Sequence, residues 1–92
     1  MVRAFVLYDT EPEPERFEQH AELCRKVPDS TFRHGRIFGA PIGEPKYKFF
    51  GEIDFPDMET FKAASRTPAF LETGKDAMDM GIPFHVHFAE VD

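Results

Sequence analysis

The sequence predicts an α+β fold of the ferredoxin-like type, with elements in the order β-α-β-β-α-β. Three observations support this prediction. Four short segments are rich in β-branched and aromatic residues, and two longer ones carry apolar residues at helical spacing. Proline and glycine separate these segments, so the boundaries are visible without an alignment. A chain of 92 residues has room for one such domain, spanning 1–92.

The first half of the chain gives a strand and then a helix. Val2–Tyr8 is β-rich and ends at the turn-forming Asp9, which predicts a central strand. Pro14 suits the first turn of a helix, and the segment that follows ends before Pro28. Its apolar positions share one helical face and extend the helix to Val27: Phe17, Ala21, Cys24 and Val27.

The remaining elements follow the same logic. Strands are predicted at 31–38, 47–55 and 84–91, the first two joined by a loop with two glycines and two prolines. Asp57 is placed to cap a second helix, and Thr67 followed by Pro68 restarts it. Gly81 and Pro83 then end the helix before the last strand.

Composition limits the functional classes. Eleven basic and 17 acidic residues give a formal net charge of −6, which argues against nucleic-acid binding. The lone Cys24 forms no internal disulfide and suggests a reducing cytoplasm. No apolar stretch approaches the roughly 20 residues of a membrane span. The sequence has no phosphate-binding loop, so we expect no nucleotide cofactor, and indeed no cofactor at all.

Two helices on one side of a four-stranded sheet leave the other side bare. We assign to that bare face Phe32, His34, Arg36 and Phe38; Lys48, Phe50, Glu52 and Asp54; and His85 and His87. Such a mixture suits a ligand cavity closed by a second subunit, with the phenylalanines and ionisable groups binding substrate. Simple amphipathic alternation explains the pattern equally well.

His20 is the most informative candidate for catalysis. It lies within the apolar stripe of the first helix, so its ring should point toward the sheet. A histidine titrates near neutral pH and can act as a general acid or base if it reaches a substrate. The alternative is a neutral core histidine bonded to a backbone carbonyl. Tyr8 can present its hydroxyl either to the cavity or to a backbone partner.

Other polar groups have competing interpretations. His85 and His87 share one strand face and can chelate a metal if a third ligand converges, although a polar sheet edge explains them more simply. Glu52 and Asp54 can form a carboxylate pair, which Lys48 on the same face would neutralise. We therefore predict no metal site, and we interpret Cys24 as a small core residue.

The order of several short motifs resembles the EthD family of dimeric α/β-barrel proteins over nearly the whole chain. The motifs are a histidine with a proline eight positions later, a glycine-proline loop, a proline-aspartate helix start and a Thr-Pro restart. They lie here at His20 and Pro28, Gly43-Glu44-Pro45, Phe55-Pro56-Asp57 and Thr67-Pro68, and the segment Asp79–Phe84 also fits. Glu22 stands where the family usually has proline.

The resemblance implies a homodimer whose two sheets form a barrel. Similar small barrels act on aromatic or polyketide-like substrates by cofactor-free oxygenation, cyclisation, dehydration or decarboxylation. The first hypothesis is therefore a cofactor-independent enzyme for a small apolar or aromatic molecule, with His20 as acid or base and Tyr8, His34 and Glu52 as polar groups. A second hypothesis is a non-catalytic binding or accessory protein of a catabolic pathway. A third and weaker one is a metal-binding barrel.

Overall fold

The computed structural model describes all 92 residues and contains four strands and three helices. In chain order they are β1 (Val2–Tyr8), α1 (Pro14–Arg25), β2 (Thr31–Arg36), β3 (Phe49–Phe55), α2 (Met58–Ala64), α3 (Pro68–Asp79) and β4 (Phe84–Glu90). This order confirms the ferredoxin-like fold, with the second helix divided in two at the Thr-Pro step. No helix is long and apolar enough to cross a membrane.

The four strands form one antiparallel sheet in the order β2-β3-β1-β4. Tyr8 at the end of β1 pairs with Phe49 of β3 and with Phe84 of β4. β3 starts at Phe49, two residues later than the sequence predicts, although the Lys48 backbone amide still donates to the Tyr8 carbonyl at 2.9 Å. β2 likewise ends at Arg36 rather than at position 38.

Side chains cap each helix at its start. Asp57 accepts a hydrogen bond from the Thr60 backbone amide at 2.8 Å, and Thr67 accepts one from Phe70 at 3.3 Å. Both caps were predicted from the sequence. Glu13 caps α1: its carboxylate accepts hydrogen bonds from the backbone amides of Glu15 at 3.2 Å and Arg16 at 2.8 Å. These bonds satisfy donors that have no partner inside a helix.

The hydrophobic core lies between the helices and one face of the sheet, which we call the inner face. Two clusters of buried residues fill it: Val2, Ala4, Cys24, Val27, Ile53, Phe55 and Ala64; and Tyr8, Phe17, Ala21 and Phe49. Alternate residues of β1 and β3 therefore point away from the helices. This opposite face, which we call the open face, carries Arg3, Phe5, Leu7, Phe50, Glu52 and Asp54.

The predicted orientation of β2 is wrong. Phe32 pairs with Ile53, and directly opposed residues share a face, so Phe32, His34 and Arg36 belong to the inner side. The ring centroids of Phe32 and His34 lie 6.4 and 4.9 Å from that of Phe17 on α1. Phe32 is the one large apolar residue of β2, and burying it turns its alternate neighbours the same way.

Candidate functional site

A cavity of about 110 Å³ lies between the inner face and helices α1 and α3. Its walls are mainly apolar, with a few polar groups among them. They comprise Ala4, Val6, Tyr8, His20, Cys24, Phe32, Gly51, Ile53, Phe70, Thr73, Gly74, Ala77, Phe84, Val86 and Phe88. An apolar cavity with few convergent polar groups is the usual form of a small-molecule site.

The cavity opens beside the edge strand β4. Val86 and Phe88 line it and yet are 47% and 59% exposed, although the Phe88 ring lies 5.0 Å from that of Phe61 on α2. Gly74 on α3 is exposed as well, and a Cβ built there would meet no atom within 4 Å. A small molecule can therefore enter between α3 and β4 without unfolding either element.

His20 joins the cavity wall to a carboxylate on the neighbouring helix. It lies on the buried face of α1 and is 4% exposed. Its Nδ1 is 2.9 Å from Oδ2 of Asp76 on α3, and its Nε2 is 3.5 Å from the Cys24 sulfur. The sequence left open whether His20 lines a cavity or belongs to the core. The structure places this buried ring in the wall of the cavity.

The surrounding charges define the protonation of this pair. Arg16 donates two hydrogen bonds to Asp76, and they hold the pKa of that carboxyl below its ordinary value, with a smaller effect from His20. Burial lowers the pKa of His20 below 6.5 even though Asp76 acts in the opposite direction. Because a carboxylate only accepts hydrogen bonds, Nδ1 is the nitrogen that donates to Asp76, and in the neutral ring that burial favours Nε2 carries a free electron pair.

Cys24 is a buried thiol rather than a nucleophile. Burial raises its pKa to about 12, with a further contribution from the charge of Asp76. A nucleophilic cysteine needs a stabilised thiolate, and a neutral His20 provides no positive charge for one. The Cys24 S–H is a weak donor toward Nε2, which a better donor on a ligand can displace.

Tyr8 contributes the second polar group of the cavity. Burial raises the pKa of its hydroxyl well above 10, so it remains protonated and able to donate a hydrogen bond. The rings of Phe17, Phe49 and Phe84 lie 5.9 to 6.4 Å from the Tyr8 ring and hold it in place. Since Tyr8 lines the cavity, a ligand can receive that bond.

Most of the other predicted site residues lie elsewhere. Phe50, Glu52, His85 and His87 occupy the open face as predicted, on the other side of the sheet from the cavity. Phe38 follows the end of β2 and is 97% exposed. His34 is on the inner side but is exposed at the edge. Of the predicted substrate-binding residues, the structure brings only Phe32 together with His20 and Tyr8.

The carboxylates of the open face are paired with arginines. Asp54 accepts hydrogen bonds from Arg3 at 2.7 and 3.1 Å and from Arg33 at 2.8 Å, which lower its pKa. Glu52 lies 3.3 and 3.2 Å from the same two arginines. Lys48, which the sequence suggested as their partner, instead donates to the carbonyl of Pro45. Side chains from β1 and β2 reach the pair because both strands flank β3.

The two histidines of β4 have separate neighbours. His85 Nε2 lies 2.9 Å from the Asp9 carboxylate, and the His87 ring is 5.7 Å from that of Phe5. No group of three histidine, cysteine or acidic side chains in the chain is arranged to hold a metal ion. A metal site at His85 and His87 would therefore need ligands from another chain.

Sequence analysis missed Asp76 and Arg16. The sequence shows that no basic residue lies three or four positions from Asp76 on α3, but only the structure shows that Thr73, three positions before it, is buried. An acidic residue at such a position needs a cationic partner from another element. Nothing in the sequence identifies Arg16 as that partner, since it requires knowing that α1 packs beside α3.

Comparison with solved structures identifies the relatives of this fold. An ethyl tert-butyl ether degradation (EthD) family protein of Bacillus halodurans is 30% identical, with a TM-score of 0.81 over 100% of this chain and 99% of that one. A dimeric ferredoxin-like protein of unknown function from Jannaschia is 19% identical, with a TM-score of 0.73 and 98% of each chain covered.

An enzyme also shares the fold. The hydroxynitrile lyase of Passiflora edulis is 17% identical, with a TM-score of 0.74 over 99% of this chain and 93% of that one. No family model matches this sequence, and no curated protein matches it. The full-length match at 30% identity, together with the ferredoxin-like topology, shows that the chain belongs to the EthD family.

Proposed function

We propose that this protein binds a small, mostly apolar molecule with one hydroxyl or carbonyl group and acts on it by proton transfer without a cofactor. The observation that carries this proposal is the Asp76–His20 pair, whose imidazole lies in the wall of an apolar cavity. A buried base held by a carboxylate is the usual arrangement for general base catalysis. The hydroxyl of Tyr8 is the matching hydrogen-bond donor.

The cavity limits the class of ligand. Its volume of about 110 Å³ is somewhat smaller than the roughly 150 Å³ of an engineered apolar cavity that binds benzene. The opening beside Val86 and Phe88 lets part of a ligand extend outward. Phe32, Phe70 and Phe84 supply aromatic walls that favour a ring or a branched alkyl group. One polar substituent is then sufficient to reach His20 or Tyr8.

The proposed chemistry begins at Nε2 of His20. A ligand hydroxyl replaces the weak Cys24 contact and gives its proton to Nε2, while Asp76 stabilises the imidazolium that forms. With a hydroxynitrile, the oxygen electron pair then forms a carbonyl, the C–CN bond breaks and its electron pair leaves as cyanide. The imidazolium returns the proton, so hydrogen cyanide and a ketone are the products. The lyase with the same fold suggests this probe reaction.

Phenol binding tests the proposed site, because phenol has one aromatic ring and one hydroxyl. Ala77 lines the cavity, so Ala77→Leu fills it; Ala89 on the open face gives the matched control Ala89→Leu. We expect calorimetry to detect phenol binding by the wild type and by Ala89→Leu. In Ala77→Leu the affinity for phenol should fall at least about tenfold, which corresponds to a loss of ~1.4 kcal/mol of binding free energy. Equal binding by all three proteins would contradict the proposed cavity.

A non-catalytic binding or accessory protein is the second candidate. It is favoured by the Cys24 contact at Nε2, which shows that the base already has a partner in the free protein. The two candidates differ in one result. A carrier binds phenol but does not accelerate cyanide release from a hydroxynitrile, whereas the enzyme does both.

We also propose that two copies pair through their open faces, in the reducing cytoplasm. The open face carries Phe5, Leu7 and Phe50 beside the paired charges of Arg3, Arg33, Glu52 and Asp54, and no element of its own chain covers it. A relative of the same fold is described as dimeric. Native mass spectrometry at micromolar concentration should show two chains, and the mass of a single chain would contradict the pairing.

A further inference from the structure

Three side chains form a continuous hydrogen-bonded network between α1 and α3. Arg16 and His20 are four residues apart on α1, so they lie on the same side of that helix. Arg16 donates Nη2–H to Oδ1 of Asp76 at 2.8 Å and Nη1–H to Oδ2 at 3.1 Å. His20 Nδ1 meets the same Oδ2 at 2.9 Å. Arg16 thereby fixes the orientation of both carboxylate oxygens, and His20 shares Oδ2 with it.

We propose that Arg16 is a positioning residue for His20: by clamping Asp76 it keeps the carboxylate an acceptor for Nδ1–H, and so keeps Nε2 unprotonated toward the cavity. This inference rests on the proposed role of His20 as the base. Arg16 does not line the cavity, so it acts only through Asp76. A bidentate arginine–carboxylate pair gives the geometric definition that such a role requires.

Charge balance explains why a cation is needed beside this pair. The titratable or charged groups around His20 are Arg16 and Cys24 on its own helix, Asp76 on α3 and Tyr8 on β1. Burial keeps Cys24 and Tyr8 neutral, which leaves Arg16 to balance Asp76. Without Arg16, the unbalanced carboxylate raises the proton affinity of His20 and shifts the pair toward imidazolium and carboxylate.

The test is a titration of the His20 imidazole by ¹⁵N NMR in the free protein. The variants are Arg16→Gln and Arg16→Lys, with Arg25→Gln as the control. Arg25 lies on the same helix, is exposed and pairs with Glu18 and Glu22, so the control makes the same change of charge and also breaks carboxylate contacts. In the wild type at pH 7 we expect Nδ1 to be protonated and Nε2 to be bare.

In Arg16→Gln we expect the titration midpoint of His20 to rise by about one pH unit, a tenfold change in proton affinity. Arg16→Lys should restore part of this shift, and Arg25→Gln should match the wild type. A merely structural role would lower stability without raising the midpoint. The proposal is overturned if Arg16→Gln titrates like the Arg25→Gln control, or if Nε2 carries the proton in the wild type.

This experiment uses no ligand, so its outcome is separate from that of the proposed function. If the His20 midpoint does not move in Arg16→Gln but replacement of His20 still abolishes turnover, His20 is the base and Arg16 has no positioning role. If the midpoint moves but no turnover is found, Arg16 positions His20 in a protein that binds its ligand without catalysis.

Discussion

His20→Gln is expected to slow cyanide release from 2-hydroxy-2-methylpropanenitrile by about 10²–10⁴-fold, the usual contribution of a general base. This branched hydroxynitrile is small enough for the cavity and carries one hydroxyl. Glutamine can still donate a hydrogen bond to Asp76, so the link between α1 and α3 is kept. It has no nitrogen that accepts a proton, and the chemical step is lost with the imidazole.

The pH dependence of the same reaction gives an independent check. The base must be unprotonated, so the rate should fall with decreasing pH only as His20 becomes protonated. Burial lowers the pKa of His20, and the rate should therefore persist below pH 6.5 before it falls. For His20→Gln the matched control is His87→Gln, since His87 lies on the other side of the sheet from the cavity. Equal losses in the two variants would contradict a specific role for His20.

Phe55→Ala is expected to lower the free energy of unfolding by about 3–5 kcal/mol, the usual cost of truncating a buried phenylalanine. Phe55 is 1% exposed, and its ring centroid lies 5.3 Å from that of Phe61 in an edge-to-face contact. Small domains have only about 5–15 kcal/mol of stability, so this variant approaches the limit of folding. Urea unfolding followed by circular dichroism measures the loss.

Phe38→Ala is the matched control for that experiment, because Phe38 is 97% exposed in the loop after β2. The expected change is within about 0.5 kcal/mol, as for most surface substitutions. Phenol binding should be unaffected as well, since Phe38 lies outside the cavity. A loss of stability similar to that of Phe55→Ala would show that the loop packs on the domain, contrary to the structure.

Local signals in the sequence were sufficient for the elements and their order. The apolar alternation of β1, the caps at Asp57 and Thr67 and the proline after Thr67 each act within a few residues, so one sequence reveals them. The apolar stripe of α1 also predicted that His20 points toward the sheet; the structure shows a buried ring in the wall of the cavity, bonded to Asp76 of α3. These inferences need no knowledge of how the helices pack.

The location of the cavity depended on contacts between distant segments. Alternation divides the residues of β2 into two sets but does not indicate which set faces the helices. In the structure the set that contains Phe32 faces them, because Phe32 packs against the core. We expected a ligand site on the open face, whereas the structure has its cavity on the inner face. The bond between His20 and Asp76 joins residues 56 positions apart, and no local pattern encodes it.

The most direct test of the central claim is where phenol binds. Intermolecular nuclear Overhauser effects from phenol to methyl groups distinguish the two faces, because Val6, Ala77 and Val86 line the cavity, whereas Leu7 and Ala89 lie on the open face. We predict contacts to the first three residues and none to the other two. Contacts confined to Leu7 and Ala89 would place the ligand on the open face and contradict the proposed site.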